Sequence, residues 1–143
     1  MITNAARGDA EKLAQIAAQN NFSAHWSAED FAKEIAQPHA LVLTAQDSGA
    51  ISGFISYRFV PPAAELTNFA VADGAQRKGV GAELLTQSLQ ILKRRGVNEI
   101  TLEVSERNAA AAALYAKHGF KQINIRKKFY NNTDDALLLK AVI

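Results

Sequence analysis

Residues 76–82 read Gln-Arg-Lys-Gly-Val-Gly-Ala and lie between an apolar run and a helical pattern. The apolar run at residues 66–71 predicts a strand, and the helical pattern opens at Glu83. Two glycines this close let the backbone approach a ligand and leave N–H groups above a helix N-terminus. Such an arrangement binds anions, and Arg77 and Lys78 add positive charge. The stretch therefore indicates a pyrophosphate site, although a tight turn with solvated basic residues has the same pattern.

Two better-known phosphate loops do not fit residues 76–82. A Walker loop needs Gly-Lys followed by Ser or Thr at a fixed spacing, which this stretch lacks. A dinucleotide-binding fingerprint needs a third glycine and a place near the start of the chain. Neither of these two phosphate-binding motifs therefore describes residues 76–82.

Length and composition indicate one globular domain spanning residues 1–143. Apolar residues make up 48% of the chain, which is ordinary for a soluble protein of this size. No apolar run reaches the ~18–20 residues that span a membrane, and the N-terminus lacks the regions of a signal peptide. We therefore expect a cytoplasmic protein with no membrane association, present as a monomer or weak dimer.

Composition also limits the chemistry. The chain has no cysteine, so disulfides, thiolate nucleophiles and cysteine metal sites are impossible. His25, His39 and His118 show no metal-ligand spacing, and we expect no metal. The net charge of +2 is too small to indicate nucleic-acid binding, even with basic clusters at residues 93–95 and 126–128.

The predicted elements follow the order β-α-α-β-β-β-α-β-α-β-β, which indicates a mixed α/β fold. Strand–helix–strand crossovers imply parallel pairing, whereas the early and late hairpins imply antiparallel pairing. We expect a mixed central sheet flanked by about four helices. The predicted helices cover residues 9–19, 27–35, 81–95 and 108–118, and the strands that follow the first two helices cover 40–44, 50–60, 64–71, 98–104, 120–126 and 136–142.

Glu103 is the first candidate catalytic residue. It lies near the C-terminal end of the predicted strand 98–104 and points away from Ile100 and Leu102. Ligands bind at such strand ends in open α/β sheets, and a carboxylate there could accept a proton directly or through water. Burial would make it a stronger base. A surface glutamate on the polar face of a half-exposed strand is the competing interpretation.

Asn108 and Tyr115 are a second pair of candidates. Asn108 is an N-cap by type and position, and Tyr115 lies two turns later on nearly the same helix face. A tyrosine hydroxyl at the edge of a site can give a proton to a leaving thiolate. Taken alone, the pattern is explained more simply by a core aromatic with its hydroxyl at the surface.

Two motifs in this order resemble the GNAT superfamily of N-acetyltransferases. The first is the loop at residues 76–82. The second runs from Leu102-Glu103-Val104 through Asn108 and Tyr115 to Gly119-Phe120. The resemblance implies the GNAT fold and acetyl-coenzyme A (acetyl-CoA) as co-substrate.

The similarity extends to the RimI subgroup, the bacterial ribosomal-protein alanine N-acetyltransferases. Residues 25–27, 68–71 and 125–130 are similar to its early loop, its acetyl-binding strand and its C-terminal hairpin. The resemblance therefore covers essentially the whole chain. It implies direct acetyl transfer, in a ternary complex, to the N-terminal alanine of a small-subunit ribosomal protein.

The resemblance also implies a role for individual residues. Glu103 is the implied general base and Tyr115 the implied general acid, with Trp26 and Tyr130 as substrate contacts. The implied cofactor-binding residues are Phe69, Ala70, Val71, Gln76, Arg77, Lys78, Gly79, Val80, Gly81, Ala82 and Asn108.

Some positions depart from the family pattern. Asp73 and Ala75 stand where a proline and an aromatic residue are usual, and the C-terminal hairpin loop is shorter. Peptide specificity is therefore open. One alternative is a GNAT enzyme that acts on a lysine side chain or a small-molecule amine, and another is a non-catalytic acyl-CoA-binding module.

Overall fold

The structure, a computed structural model, describes residues 1–130 and 133–143, and the side chains at 129 and 130 lie outside that description. Its elements follow the predicted order. The strands are β1 Ile2–Asn4, β2 Ala40–Asp47, β3 Ala50–Val60, β4 Ala63–Val71, β5 Glu99–Ser105, β6 Lys121–Tyr130 and β7 Asp134–Val142. The helices are α1 Ala10–Gln19, α2 Ala28–Ile35, α3 Val80–Arg94 and α4 Ala109–Lys117, with 3₁₀ turns at Arg7–Asp9 and Asp73–Ala75. None of the helices in the described residues has the length and apolar character needed to cross a membrane.

The strands form one mixed sheet in the order β1-β2-β3-β4-β5-β7-β6. β4 and β5 run parallel, because α3 carries the chain back across the sheet between them. The β2–β3 and β6–β7 hairpins are antiparallel. The predicted mixed sheet flanked by helices is therefore confirmed.

Helices cover both faces of the sheet, because alternate residues of each strand point to opposite sides. One face of β3 turns Phe54 toward α1 and α2, where it meets Phe31 edge-on with ring centres 5.1 Å apart. The other face turns Ile55 and Tyr57 toward α3. Each fully buried leucine-sized side chain in these two cores contributes roughly 1.5–3 kcal/mol.

The N-terminus of α2 shows how sequence sets a helix boundary. Ser27 Oγ accepts from the Asp30 N–H at 3.1 Å, and the Ser27 N–H donates to the Asp30 carboxylate at 2.9 Å. The backbone bond from Ser27 lowers the pKa of Asp30. These two hydrogen bonds form a capping box, so the helix boundary is set by a serine and an aspartate three residues apart.

The sheet opens between β4 and β5. Their parallel pairing covers Ala63 to Glu65 on β4 and then stops. Just beyond that point the β3–β4 register shifts, so that Thr67 is an extra residue in β4. A bulge of this kind bends a strand and increases its local twist. The C-terminal halves of β4 and β5 therefore diverge and leave a gap at the edge where α3 and α4 begin.

Candidate active site

A groove of about 700 Å³ fills the opening between β4 and β5. Its floor comes from residues 66–71 of β4 and residues 103–105 of β5. One wall is the loop at residues 20–24 between α1 and α2, and the other is the start of α3 with part of α4. The groove therefore brings together residues of the two motifs identified in the sequence, the loop at residues 76–82 and the segment that begins at Leu102.

The glycine loop leaves the N-terminus of α3 exposed to this groove. Gly79 is the N-cap, in the left-handed conformation with φ of 79°, and no side chain caps the helix. The N–H groups of the first turn have no intrahelical acceptor, and the helix dipole favours an anion beside them. Arg77, with φ of 66°, sits in the left-handed region that non-glycine residues rarely adopt. A pyrophosphate fits this donor set, so the predicted anion site is supported by the backbone geometry.

All but one of the residues of the glycine loop line the groove. Gln76, Arg77, Gly79, Val80, Gly81 and Ala82 are all lining residues, whereas Lys78 is not among them. A Cβ at Gly81 would lie 3.4 Å from the Phe69 ring and 3.5 Å from Leu114, so the backbone approaches both closely. Gln76 Nε2 donates to the Val71 carbonyl at 3.4 Å and ties the loop to the end of β4.

The backbone of β4 presents polar groups to the groove. The Ala72 N–H donates to the Ser52 carbonyl at 2.8 Å, and Val71 pairs with Gly53 in the antiparallel register. Because hydrogen-bonded positions alternate along such a pair, Phe69 and Val71 turn their N–H groups away from β3. They face the side where pairing with β5 has ended. This is the arrangement expected of an edge that binds a carbonyl or an amide.

Glu103 lies on the groove floor near the end of β5, as the sequence predicts. Its side chain is 28% exposed rather than buried, and a carboxylate oxygen lies 3.2 Å from a guanidinium nitrogen of Arg126. Arg126 reaches it from β6, across the intervening β7. The ion pair orients the carboxylate, and its exposure leaves it accessible to a water or an incoming amine.

Tyr115 and Asn108 line the same groove from α4. Tyr115 is 5% exposed, with its ring centre 6.2 Å from that of Phe69 and 5.5 Å from that of Phe120. Asn108 Oδ1 accepts from the Ala111 N–H at 3.4 Å, so its predicted role as N-cap is confirmed. Tyr115 is therefore both a core aromatic and a residue that lines the groove.

Neither of the two predicted substrate contacts, Trp26 and Tyr130, is among the residues that line the groove in the described part of the chain. Trp26 packs edge-on against Phe31 with ring centres 5.2 Å apart, just beyond the loop at residues 20–24, and is not a lining residue. The side chain of Tyr130 lies outside the described residues.

Among the residues that are described, no three His, Cys, Asp or Glu side chains come together as a metal site would require.

Sequence reasoning missed one wall of the groove. The loop at residues 20–24 is polar and irregular, which predicts a loop but says nothing of where it packs. Asn68 was a signal that could have located it, because a polar amide inside an apolar strand needs partners when buried. Asn68 is 3% exposed, and those partners belong to Ala24 of the loop.

Comparisons with known proteins agree with this geometry. A family model described as the Acetyltransferase (GNAT) family matches residues 10–120. The chain is 36% identical over 117 residues to the ribosomal protein bS18-alanine N-acetyltransferase of Escherichia coli, covering 80% of this chain and 78% of that protein. It is 32% identical over 129 residues to the N-alpha-acetyltransferase RimI of Mycobacterium tuberculosis, covering 87% and 80%.

Solved structures show the same relationship. The crystal structure of the Escherichia coli ribosomal-protein alanine N-acetyltransferase superposes with a TM-score of 0.90 and 30% identity, covering 100% of this chain and 93% of that one. The family match spans both motifs, from the first residue of α1 to the residue before β6. The chain therefore belongs to the GNAT acetyltransferase family.

Proposed function

We propose that the chain transfers acetyl from acetyl-CoA to the N-terminal amine of a protein. We further propose that its substrate is the N-terminal alanine of a small-subunit ribosomal protein. The observation that carries the proposal is the groove between β4 and β5, which has Glu103 and Tyr115 on its surface beside the uncapped start of α3. Relatives at 36% and 32% identity are named for this type of reaction, which favours it over transfer to lysine or to small amines.

Acetyl-CoA supplies the acetyl group as a thioester, and residues of both strands would hold it. The first turn of α3, with Gln76, Arg77 and Gly79, would bind the pyrophosphate through backbone N–H groups. The edge of β4 at Phe69 and Val71 would bind the pantetheine arm and the acetyl group. Asn108, at the start of α4, would contact the same arm from the opposite wall.

Glu103 would act as general base. A protein N-terminal amine has a pKa near ~7.7–8.0 and attacks only when neutral, so one proton must leave it. The carboxylate is partly exposed at the groove floor and accepts that proton directly or through water. The Arg126 guanidinium, 3.2 Å away, holds the carboxylate in one orientation.

Backbone donors on β4 would stabilise the charge that develops on the thioester oxygen. The N–H groups of Phe69 and Val71 point to the groove because β3 does not use them. A donor fixed in this way typically lowers the activation free energy by ~2.7–4 kcal/mol. The sheet orients both N–H groups along this edge, and in the structure that of Phe69 donates to Asn68 Oδ1 at 3.0 Å.

Tyr115 would act as general acid toward the departing sulfur. Its ring contacts the rings of Phe69 and Phe120, and these contacts limit where its hydroxyl can lie. Since the chain has no cysteine, the acetyl group cannot rest on a protein thiol. Direct transfer within a ternary complex is therefore the mechanism that these residues support.

The proposal extends to the setting of the reaction. We propose a single domain of residues 1–143, a monomer or weak dimer, that meets its protein partner in the cytoplasm. The support is the relatives' named substrate, since ribosomal proteins are made and assembled there. Direct binding of nucleic acid is not part of the proposal, because the net charge is only +2.

Mapping the site of acetylation tests the function. The full chain is incubated with acetyl-CoA and unmodified small-subunit ribosomal proteins, and the products are digested and sequenced by mass spectrometry. We expect a gain of one acetyl group on the α-amine of an N-terminal alanine. Acetyl groups confined to lysine side chains would refute the proposal and support the lysine alternative.

A further inference from the structure

Asn68 is a buried amide at the centre of the acetyl-binding segment of β4. Its side chain is 3% exposed and makes hydrogen bonds in two directions. Oδ1 accepts from the Ala24 N–H at 3.2 Å and from the Phe69 N–H at 3.0 Å, and Nδ2 donates to the Ala24 carbonyl at 2.9 Å. One side chain thus contacts a residue 44 positions away and its own neighbour on the groove edge.

These contacts fix which way the amide points. Two N–H groups converge on one end of the side chain and a carbonyl faces the other. An amide turned over would place its own NH₂ against two donors and its oxygen against an acceptor. The orientation of the Asn68 amide is therefore determined by its surroundings. The backbone of Ala24 is held at both its N–H and its C=O.

The amide anchors a wall of the groove. Ala24 ends the loop at residues 20–24, which faces the reaction centre from the side opposite α3. Within the loop, Asn20 Oδ1 accepts from the N–H groups of Phe22 and Ser23, so the turn is cross-linked by its own side chain. Holding Ala24 therefore places the whole wall, including the 49% exposed Phe22, relative to β4.

The second contact concerns the reaction itself. The Phe69 N–H faces the groove and is one of the donors available to a thioester oxygen. In the structure it donates to Asn68 Oδ1, an acceptor that it shares with the Ala24 N–H. An incoming acetyl oxygen would accept this N–H and leave Oδ1 to Ala24 alone.

We propose that Asn68 is a positioning residue that fastens the loop at residues 20–24 to β4 and releases the Phe69 N–H to the acetyl oxygen. Binding of the acetyl group then strengthens the hydrogen bond between Asn68 and Ala24. The loop at residues 20–24, which an amine substrate must pass, is thereby held more firmly against β4. This inference rests on the proposed acetyl transfer and adds the residue that couples its two substrates.

The direct test measures amide exchange at Ala24 by NMR in the full chain. CoA and acetyl-CoA share every group except the acetyl carbonyl and its methyl. We expect acetyl-CoA to slow exchange at Ala24 more than CoA does in the wild-type protein. In Asn68→Ala the two ligands should have equal effects, while the Kd for CoA stays within about threefold because the pyrophosphate contacts are intact.

Two further variants keep the test decisive. Tyr57→Phe removes a buried hydroxyl that bonds Ser88 and lines no part of the groove, so it should retain the difference between the ligands. Asn68→Asp keeps the shape and the acceptor, so it should retain a reduced difference even if Asn68→Ala fails to fold. Equal exchange with both ligands in the wild type, or an unchanged difference in Asn68→Ala, would overturn the proposal.

Kinetics separate this inference from the proposed function. With a peptide that begins with alanine, Asn68→Ala should lower kcat/KM for the peptide by about ten- to a hundredfold through misplacement of the wall. Its kcat/KM should recover in part in Asn68→Asp. A wild-type protein without activity on the peptide would refute the proposed function, yet the exchange comparison would still decide the role of Asn68.

Discussion

Tyr115 illustrates how one residue can belong to the core and to the site. Its ring is buried against Phe69 and Phe120, while the residue also lines the groove. Contacts with these two rings restrict the position of the Tyr115 ring, on which the proposed acid role depends. Such fixed placement is what general acid catalysis requires, since a proton donor must lie within hydrogen-bond reach of the leaving atom.

Substitution of Tyr115 by phenylalanine tests the acid role. We expect Tyr115→Phe to lower kcat by about 10²–10⁴-fold, the usual contribution of a positioned acid, while the Kd for CoA is unchanged. The ring contacts survive, so the protein should fold. Steady-state kinetics and calorimetry measure the two quantities, with Tyr57→Phe as the control for loss of a buried hydroxyl. An unchanged kcat would remove Tyr115 from the mechanism.

Glu103 should matter most where the amine is protonated. The amine has a pKa near ~7.7–8.0, so below that pH a larger share of it must lose a proton before it attacks. We therefore expect the rate ratio of wild type to Glu103→Gln to grow as pH falls from about 9 to about 6.

A neighbouring glutamate on β5 supplies the control for this pH profile. Glu99 also carries an ion pair, with Lys140 at 2.9 Å, but lies outside the groove. Glu99→Gln should leave the rate unchanged across the same pH range. A loss in Glu103→Gln that is equal at every pH would point to positioning of the substrate instead of proton transfer.

At the scale of elements, the groove depends on how closely α3 approaches β3. A Cβ at Gly53 would lie 3.1 Å from the Ala70 carbonyl oxygen and 3.2 Å from side-chain atoms of Val80 and Leu84. Glycine therefore lets the first turn of α3 rest directly on the sheet. This contact sets the height above β4 of the N–H groups that we propose bind the pyrophosphate.

Gly53→Val should lift that first turn. We expect the free energy of unfolding to fall by about 1–3 kcal/mol from overpacking, and the Kd for CoA to rise by about tenfold. Thermal unfolding and calorimetry measure these effects. Gly8→Ala is the matched control, because its Cβ would meet nothing within 4 Å and should change neither quantity. Unaltered CoA affinity in a folded Gly53→Val would contradict the proposed role of this contact.

The elements themselves could largely be predicted from sequence. The capping box at Ser27, the order of strands and the helix after the glycine loop follow local rules that the structure obeys. β2 and β6 extend further than predicted, to Asp47 and Tyr130, because pairing with a neighbour prolongs a strand past its apolar pattern. Pairing with other strands decides where a strand ends, and the local sequence does not contain that information.

Parts of the site escaped prediction for the same reason. Placement of the loop at residues 20–24 depends on Asn68, a contact between residues 44 positions apart. The partner of Glu103 is Arg126, which reaches it from two strands away in the sheet. Local patterns describe which residues are polar, whereas long-range packing decides which of them meet.

For the whole molecule, the groove is a consequence of the split sheet. α3 crosses over to make β4 and β5 parallel, the bulge at Thr67 bends β4, and pairing ends after Glu65. Packed cores on both faces hold the halves of the sheet apart at this point. The same core that stabilises the fold therefore keeps the site open.

The stability of that core should fall at high pH. Tyr57 is fully buried with its hydroxyl 2.7 Å from Ser88 Oγ, and burial raises the pKa of Tyr57 above its ordinary value. The folded state then holds the proton more tightly than the unfolded state does. Its contribution is complete below the unfolded pKa of about 10 and is lost as pH rises above it.

Tyr57→Phe tests this pH dependence. At neutral pH we expect the free energy of unfolding to fall by about 0.5–1.5 kcal/mol through loss of one hydrogen bond. Above pH of about 10 the gap between wild type and variant should close, because the variant has no phenol to ionise. Urea unfolding at several pH values measures the gap. A constant gap through the alkaline range would show that Tyr57 does not ionise on unfolding.

We propose above that the groove directs acetyl to an N-terminal amine. The most direct measurement is CoA release from acetyl-CoA with two peptides, one beginning with a free alanine and one with a blocked N-terminus and a single internal lysine. We expect turnover with the first peptide and none with the second. Turnover with the lysine peptide alone, or with neither, would contradict it.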